Sequence, residues 1–249
     1  MNGFGSYLWL EVRRTLRNGR YLMFTLGFPA GFYLLFTMLY GKEASGAGYN
    51  FNTIYMASMA AYGALGAAMN SNSVALATER AGGWCRQLRV TPLGSMAYVL
   101  GKMATAICVA LPALLLVSLL GVLVHHVRMS GGDWVVFVLG TWIGTIPFAA
   151  LGILMGYALD PQSAQGGMMI VYFGLSILGG MWFPYQIMPH TMRVMVRILP
   201  SYHFAYIGWN AVAGQGIGWN NVGVLALYTV IFGFGAMRAY RRDEAREYA

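Results

Sequence analysis

Few side chains in this 249-residue chain have the types and spacing for chemistry. His125, His126 and Asp133 share one polar run, "HHVRMSGGDW", and imidazole and carboxylate are zinc ligands. Two adjacent histidines and one acid are a weak metal signal, and we read the run as a solvated loop. Ser176 in "GLSILGG" misses the G-x-S-x-G nucleophile pattern by a residue, and no H-E-x-x-H run occurs. The G-x-x-x-x-G-K-S/T phosphate loop is missing too, so the chain does not hold ATP by that device. What is left is ionic. "ERAGGWCRQLRVTPLG", Glu79 to Gly94, carries four charges within residues 79–89, between stretches that carry almost none. As a helix it would place Trp84, Leu88 and Thr91 on one face and Arg80, Arg86 and Arg89 elsewhere, a form suited to a groove on a partner. A loop whose arginines only set topology is the competing reading.

The elements that must position this stretch belong to a membrane. The chain is 58% hydrophobic and 10% charged, with mean hydropathy +0.56, whereas soluble domains run near a quarter charged. The net charge of +8 does not indicate nucleic acid, because the basic residues lie in short clusters between apolar runs. Cys85 lies in the charged stretch and Cys108 in an apolar run, which reads as two free thiols rather than a disulfide framework. The first apolar run, Leu22 to Tyr40, is too long for a signal-peptide core and reads as a span.

Residues 1–20 read as an interfacial amphipathic helix. Phe4, Leu8, Val12 and Leu16 form the apolar stripe with Trp9 beside them, and Glu11, Arg13, Arg14, Arg17 and Asn18 take the polar face. Six spans follow, at about 22–40, 51–77, 103–124, 135–157, 166–181 and 222–238. The second has Ala60, Ala64 and Ala68 in register. The fourth has Gly140-xxx-Gly144 and Gly152-xxx-Gly156, spacings that let helices approach closely. "ALDPQSAQ", 158–165, reads as a turn. Residues 182–221 have three prolines and many aromatics but no clean span, and read as short, partly re-entrant helices at the outer surface. The fold class expected is thus an all-α integral membrane protein: six transmembrane helices, an N-terminal interfacial helix and short extracellular helices between spans 5 and 6, all in one domain, 1–249.

Basic residues orient it. Twelve fall at the two termini and in the loop after span 2, Lys102 among them, and four (Lys42, Arg128, Arg193, Arg197) on the other side. That split puts both termini and the charged stretch in the cytoplasm, and Trp182, Tyr202, Tyr206, Trp209 and Trp219 at the outer interface. With these boundaries no span contains Asp, Glu, Lys or Arg inside its ends, Arg238 standing at the edge of the last, which argues against an ion-coupled carrier.

Three features together resemble the type-2 family of ABC transporter permeases. "ERAGGWCRQLRVTPLG" is similar to that family's segment after span 2. "GGMWFPYQIMPHTMRVMVRILPSYHF", with Pro184, Pro189 and Pro200, is similar to its pattern after span 5. The surface helix followed by six spans covers the whole chain. One departure is Gly82-Gly83 followed by Trp84 and Cys85, where the family has bulkier residues. The resemblance implies a non-catalytic exporter subunit of a bacterial cytoplasmic membrane. It implies a dimer with an identical or related permease, working with two ABC ATPase subunits that bind ATP and Mg; this chain itself takes no cofactor. Glu79, Arg80, Trp84, Arg86, Leu88, Arg89, Thr91 and Pro92 would form the coupling segment, 79–94. Phe183, Pro184, Met188, Pro189 and Pro200 would belong to an extracellular gate. Spans 2 and 5 would line the path with Tyr55, Met56, Met59, Tyr62, Asn70, Met168, Met169, Tyr172 and Phe173. Met and aromatic side chains give an adaptable apolar surface, which favours drugs, lipids or hydrophobic peptides as substrates. An ATP-independent channel or carrier, or a membrane anchor for a cytoplasmic partner, are the rival expectations.

Overall fold

The computed structural model describes residues 3–44, 50–84, 95–183 and 188–246, and among these the regular structure is entirely helical. In chain order the helices are α1 Gly3–Leu16, α2 Gly19–Ala44, α3 Phe51–Ala81, α4 Ser95–His125, α5 Gly131–Ile143, α6 Ile146–Ala158, α7 Pro161–Leu178, α8 His190–Val196, α9 Pro200–Val212 and α10 Trp219–Arg246. Local chemistry sets several of their starts. Asp160 Oδ1 accepts from the Gln162 and Ser163 amides at 3.0 and 2.8 Å, with Pro161 following it. Ser130 Oγ accepts from the Asp133 amide at 3.1 Å. Pro200 opens α9, where its missing N–H costs nothing.

Four stretches are long and apolar enough to cross a membrane: Tyr21–Gly41, Ala97–His125, Gly131–Ala158 and Trp219–Asp243. They correspond to expected spans 1, 3, 4 and 6. Spans 2 and 5 correspond to α3 and α7. α3 is the hub, packed by α2, α4, α6, α7 and α9. Every residue from Tyr55 to Met69 is buried. A helix enclosed by protein does not need a lipid-compatible surface; it needs small residues, and Ala60, Ala64 and Ala68 are fully buried.

The glycine spacings act as expected. Gly152 of α6 meets the α3 backbone, where a Cβ would lie 2.6 Å from the Met69 carbonyl oxygen. Gly144 lies against Phe204, and Gly140 against Ile207, both in α9. Polar side chains stitch the other neighbours to the hub. Tyr21 hydroxyl donates to the Ala67 carbonyl at 3.0 Å, Tyr172 hydroxyl to the Tyr62 carbonyl at 3.2 Å, and Trp209 indole to Ser58 Oγ at 2.8 Å.

Several boundaries differ from the sequence reading. α4 begins at Ser95, eight residues before the expected span. The fourth span is two helices, α5 and α6, broken at Gly144-Thr145 ahead of Pro147. Pro161 starts α7 rather than extending a turn, because Asp160 caps it. Most of the aromatics assigned to the outer interface are structural. Tyr202 is buried, Trp209 is bonded to α3, and Trp182 stands edge-on to Phe32 and Tyr62; only Trp219, 75% exposed, is free to meet headgroups. α9 is packed on one side, with Phe204, Ala205, Ile207, Gly208 and Ala211 buried among its neighbours.

Gly152→Ala forces the α3–α6 contact apart and lowers the melting temperature in detergent by the equivalent of about 1–3 kcal/mol. Gly233→Ala, where a Cβ meets nothing within 4 Å, leaves it unchanged or raises it.

Candidate functional site

The end of the bundle that carries α1 contains a built ionic site, centred where α3 runs out into the charged stretch. Lys102 of α4 has a side chain only 1% exposed. Its Nζ lies 3.0 and 2.9 Å from the two carboxylate oxygens of Glu79 and pairs with Glu11 of α1. Arg14 of α1 donates to Glu79 Oε1 at 2.8 Å, and Tyr98 hydroxyl donates to Glu79 Oε2 at 2.6 Å. Two cations and two carboxylates balance, as a buried cluster must. Asn72 Nδ2 donates to the Lys102 carbonyl at 3.1 Å, fixing α3 against α4 at the same level.

The next residue pulls the opposite way. Arg80 Nη1 donates to the carbonyls of Gly156 and Tyr157 at 2.9 and 3.0 Å, at the C-terminal end of α6. Its Nη2 pairs with Asp243 of α10, and its guanidinium stands 5.2 Å over the Tyr157 ring. A cation over helix-terminal carbonyls also complements the α6 dipole. Glu79 therefore ties α3 to α1 and α4, and Arg80 ties it to α6 and α10. Five helices meet where α3 ends.

Burial alone would raise the Glu79 pKa; Lys102, the Tyr98 hydroxyl and Arg14 outweigh it and hold the carboxyl below its ordinary range. The side chain thus stays ionised at neutral pH and holds α3 against α4 and α1. Among the described residues no group of three or more His, Cys, Asp or Glu could hold a metal.

Of the expected coupling residues, Glu79 and Arg80 point into the bundle rather than toward a partner, and Trp84 is exposed. Arg86, Leu88, Arg89, Thr91 and Pro92 lie outside the described residues. Two sequence assignments are corrected. Glu11 was placed on the polar face of the surface helix; it faces the bundle, while Trp9 and Leu10 are exposed. Lys102 was counted as a loop charge; it is helical and buried. The reason is a set of partners far apart in sequence, which no local pattern shows. A lone lysine between Leu100 and Met103 was the available signal, since such a group needs a named partner. Lys102 still lies at the membrane edge: 23 residues separate it from His125, about 34 Å at 1.5 Å per residue, more than a hydrocarbon core of about 30 Å.

The expected path residues separate into two groups. Tyr62, Tyr172 and Phe173 converge with Trp182 and Phe32 into one aromatic cluster, with Tyr62 and Tyr172 stacked at 4.8 Å. Tyr55 stacks on Phe51 at 5.3 Å. Met56, Met59 and Met168 are fully buried, Asn70 bonds back to its own helix at Gly66, and Met169 is exposed beside Ile170. Of the gate residues, Phe183 and Pro189 are exposed, Met188 is buried under Tyr202 and Val196, Pro200 is buried, and Pro184 lies outside the described residues. Nearby, His203 Nε2 donates to the Arg197 carbonyl at 2.8 Å and Nδ1 lies 2.8 Å from Asn221 Oδ1, anchoring α8, α9 and α10 to one another.

Lys102→Met leaves Glu11 and Glu79 facing each other without a buried cation, and costs about 3–5 kcal/mol, read as a lower melting temperature in detergent. Glu11→Leu, Glu79→Leu and Lys102→Met combined recover most of that loss, because an apolar replacement leaves no stranded charge. Acid tests the same pairing. With a folded pKa below its unfolded one, Glu79 contributes fully above the ordinary carboxylate range and loses its contribution as pH falls through the lowered value. Protection of α1 from protease should hold into mild acid and fall below it, and Glu79→Gln should remove that step.

Comparison with known proteins places this geometry in context. Residues 2–212 match a family described as ABC-2 type transporter. Over 235 residues, 94% of this chain and 96% of the relative, the sequence is 28% identical to a protein of Bacillus subtilis (strain 168) that bears the name "Putative transport permease YvfS".

Proposed function

Because this chain belongs to the ABC-2 type transporter family, we propose that it is the membrane permease subunit of an ATP-driven exporter. It moves hydrophobic or amphipathic molecules (drugs, lipids or peptides) outward from the cytoplasm. Its partners are an ABC ATPase, two copies per assembly, which binds ATP and Mg, and a second permease copy or a relative. The chain crosses a bacterial cytoplasmic membrane six times, through the four long apolar helices together with α3 and α7, and both termini are cytoplasmic.

One observation carries this reading. The residues that lead from α3 into the charged stretch are clamped to four other helices. A push on residues 85–94 by a moving ATPase is then a push on α3, and α3 touches most of the bundle. Glu79 and Arg80 act as the clamp, and Trp84, Arg86, Leu88, Arg89, Thr91 and Pro92 are the surface that the ATPase grips. The aromatic cluster of Tyr62, Tyr172, Phe173 and Trp182 lies beside the exposed face of α2 and α7, where Phe24, Phe28, Met169 and Ile170 are uncovered. Two such faces, brought together in a dimer, would enclose the path. Phe183, Pro184, Met188, Pro189 and Pro200 border its outer end.

Gentle detergent purification of the tagged chain from native membranes, followed by mass spectrometry, is expected to recover an ABC ATPase in near-stoichiometric amount. Arg86→Glu and Leu88→Asp should each reduce its retention and reduce export, with an unchanged melting temperature of the permease. Repeated recovery of the intact chain without an ATPase would overturn the reading.

A further inference from the structure

The C-terminal half of α10 has two faces with different fates. One is inside: Ala236 is buried, Tyr240 meets Tyr157 edge-on at 5.7 Å, and Asp243 is taken by Arg80. The other is uncovered along its length. Leu227, Val230, Ile231 and Phe234 are exposed, and the same stripe continues one turn later as Arg238, Arg241 and Arg242, exposed as well. Phe234, Met237 and these three arginines line an open groove of about 310 Å³. None of the three arginines has an ion-pair partner among the residues whose side chains are described. Asp243, whose side chain the structure describes, is on the opposite face and already paired, and the side chain of Glu244 lies outside what is described.

The level of the groove follows from helix geometry. Trp219, 75% exposed, begins α10. Arg238 is 19 residues on, about 28 Å along the axis, close to the thickness of a hydrocarbon core. The switch from apolar to basic between Phe234 and Arg238 therefore falls where acyl chains give way to headgroups. Three exposed guanidiniums at that depth, continuous with a lipid-facing stripe, match a phosphate attached to acyl chains better than a soluble anion or an acidic protein. A soluble anion would gain nothing from Phe234 and Met237, and a soluble protein could not reach them.

We propose that this groove binds the headgroup of an anionic phospholipid of the leaflet on the α1 side. Arg238, Arg241 and Arg242 hold the phosphate as bidentate donors, and Phe234 and Met237 lie against the first part of its acyl chains. The lipid neutralises the end of α10 that Asp243 and Arg80 fasten to α3, so the site is joined to the clamp by one ion pair.

The test uses the full chain purified in mild detergent, given dioleoyl phosphatidylglycerol or dioleoyl phosphatidylcholine, with retained lipid counted by native mass spectrometry. Phosphatidylglycerol is expected to be retained in preference to phosphatidylcholine. R238Q/R241Q/R242Q should weaken that retention by about fivefold per arginine removed. R238K/R241K/R242K should keep most of it, and Arg128→Gln at the other end should not change it. If the triple glutamine variant fails to insert, Arg241→Gln alone should still show the fivefold loss. Equal retention of the two lipids by the unaltered chain, or undiminished phosphatidylglycerol on the glutamine variants, would overturn the proposal. So would displacement of the bound lipid by millimolar inorganic phosphate, which would identify a free-anion site.

Discussion

A lysine ammonium removed from water must find its counter-charge inside the protein, and the pairing of Lys102 with Glu79 is the constraint on which this structure depends. Desolvating either group alone is costly; together, with Glu11, Arg14 and the Tyr98 hydroxyl, they form a neutral unit that excludes water. Satisfying that pair fixes three helices at once. α4 must present Lys102 to α3, α3 must end where Glu79 can reach it, and α1 must lie across both to supply Glu11 and Arg14. An amphipathic helix that membrane partitioning alone would leave free to slide is thereby held at one position. Tyr7, whose ring fits over Gly101, reinforces the same position by shape.

Arg80 extends the unit to the far side of the bundle. Its hydrogen bonds to the end of α6 and its pairing with Asp243 mean that consecutive residues of α3 reach almost every helix at this end. The other end is organised differently. There the contacts are aromatic and single hydrogen bonds, such as Trp209 to Ser58 and Tyr228 to the Ile198 carbonyl, which tie the region of short, proline-started helices to α3 and α10. Ion pairs with several partners resist displacement; aromatic faces can slide and repack. The bundle is thus held by ion pairs at one end and by aromatic contacts at the other.

The hub helix explains the composition of the rest. Because α3 is enclosed, its neighbours carry the lipid-facing surface: Met38 on α2, Leu119 and Leu123 on α4, Val230 and Phe234 on α10. Small residues on α3 and α6 bring backbones close enough for dispersion to replace the hydrophobic drive that is lost in lipid. Gly152 against Met69 is the tightest of these approaches between α3 and α6.

The sequence by itself determined the class of this protein. Apolar runs of bilayer length, sparse charge and small-residue spacings are local properties, and they specified an all-helical membrane chain, an N-terminal helix ahead of it, the helices long and apolar enough to cross a membrane and the close-packed faces before any coordinates. The order of its motifs also pointed to the ABC-2 family. Only the tertiary structure decided which charges are solvent-facing and which are paired. Glu11, Glu79 and Lys102 look like ordinary boundary charges in the sequence, and Arg80 like a docking arginine. Their partners on other helices lie from 19 to 163 residues away. A pattern read over one or two helical turns reports the face a residue occupies but not what that face meets. For an ionisable side chain the meeting decides everything, because burial without a partner is prohibitive and burial with one builds a joint.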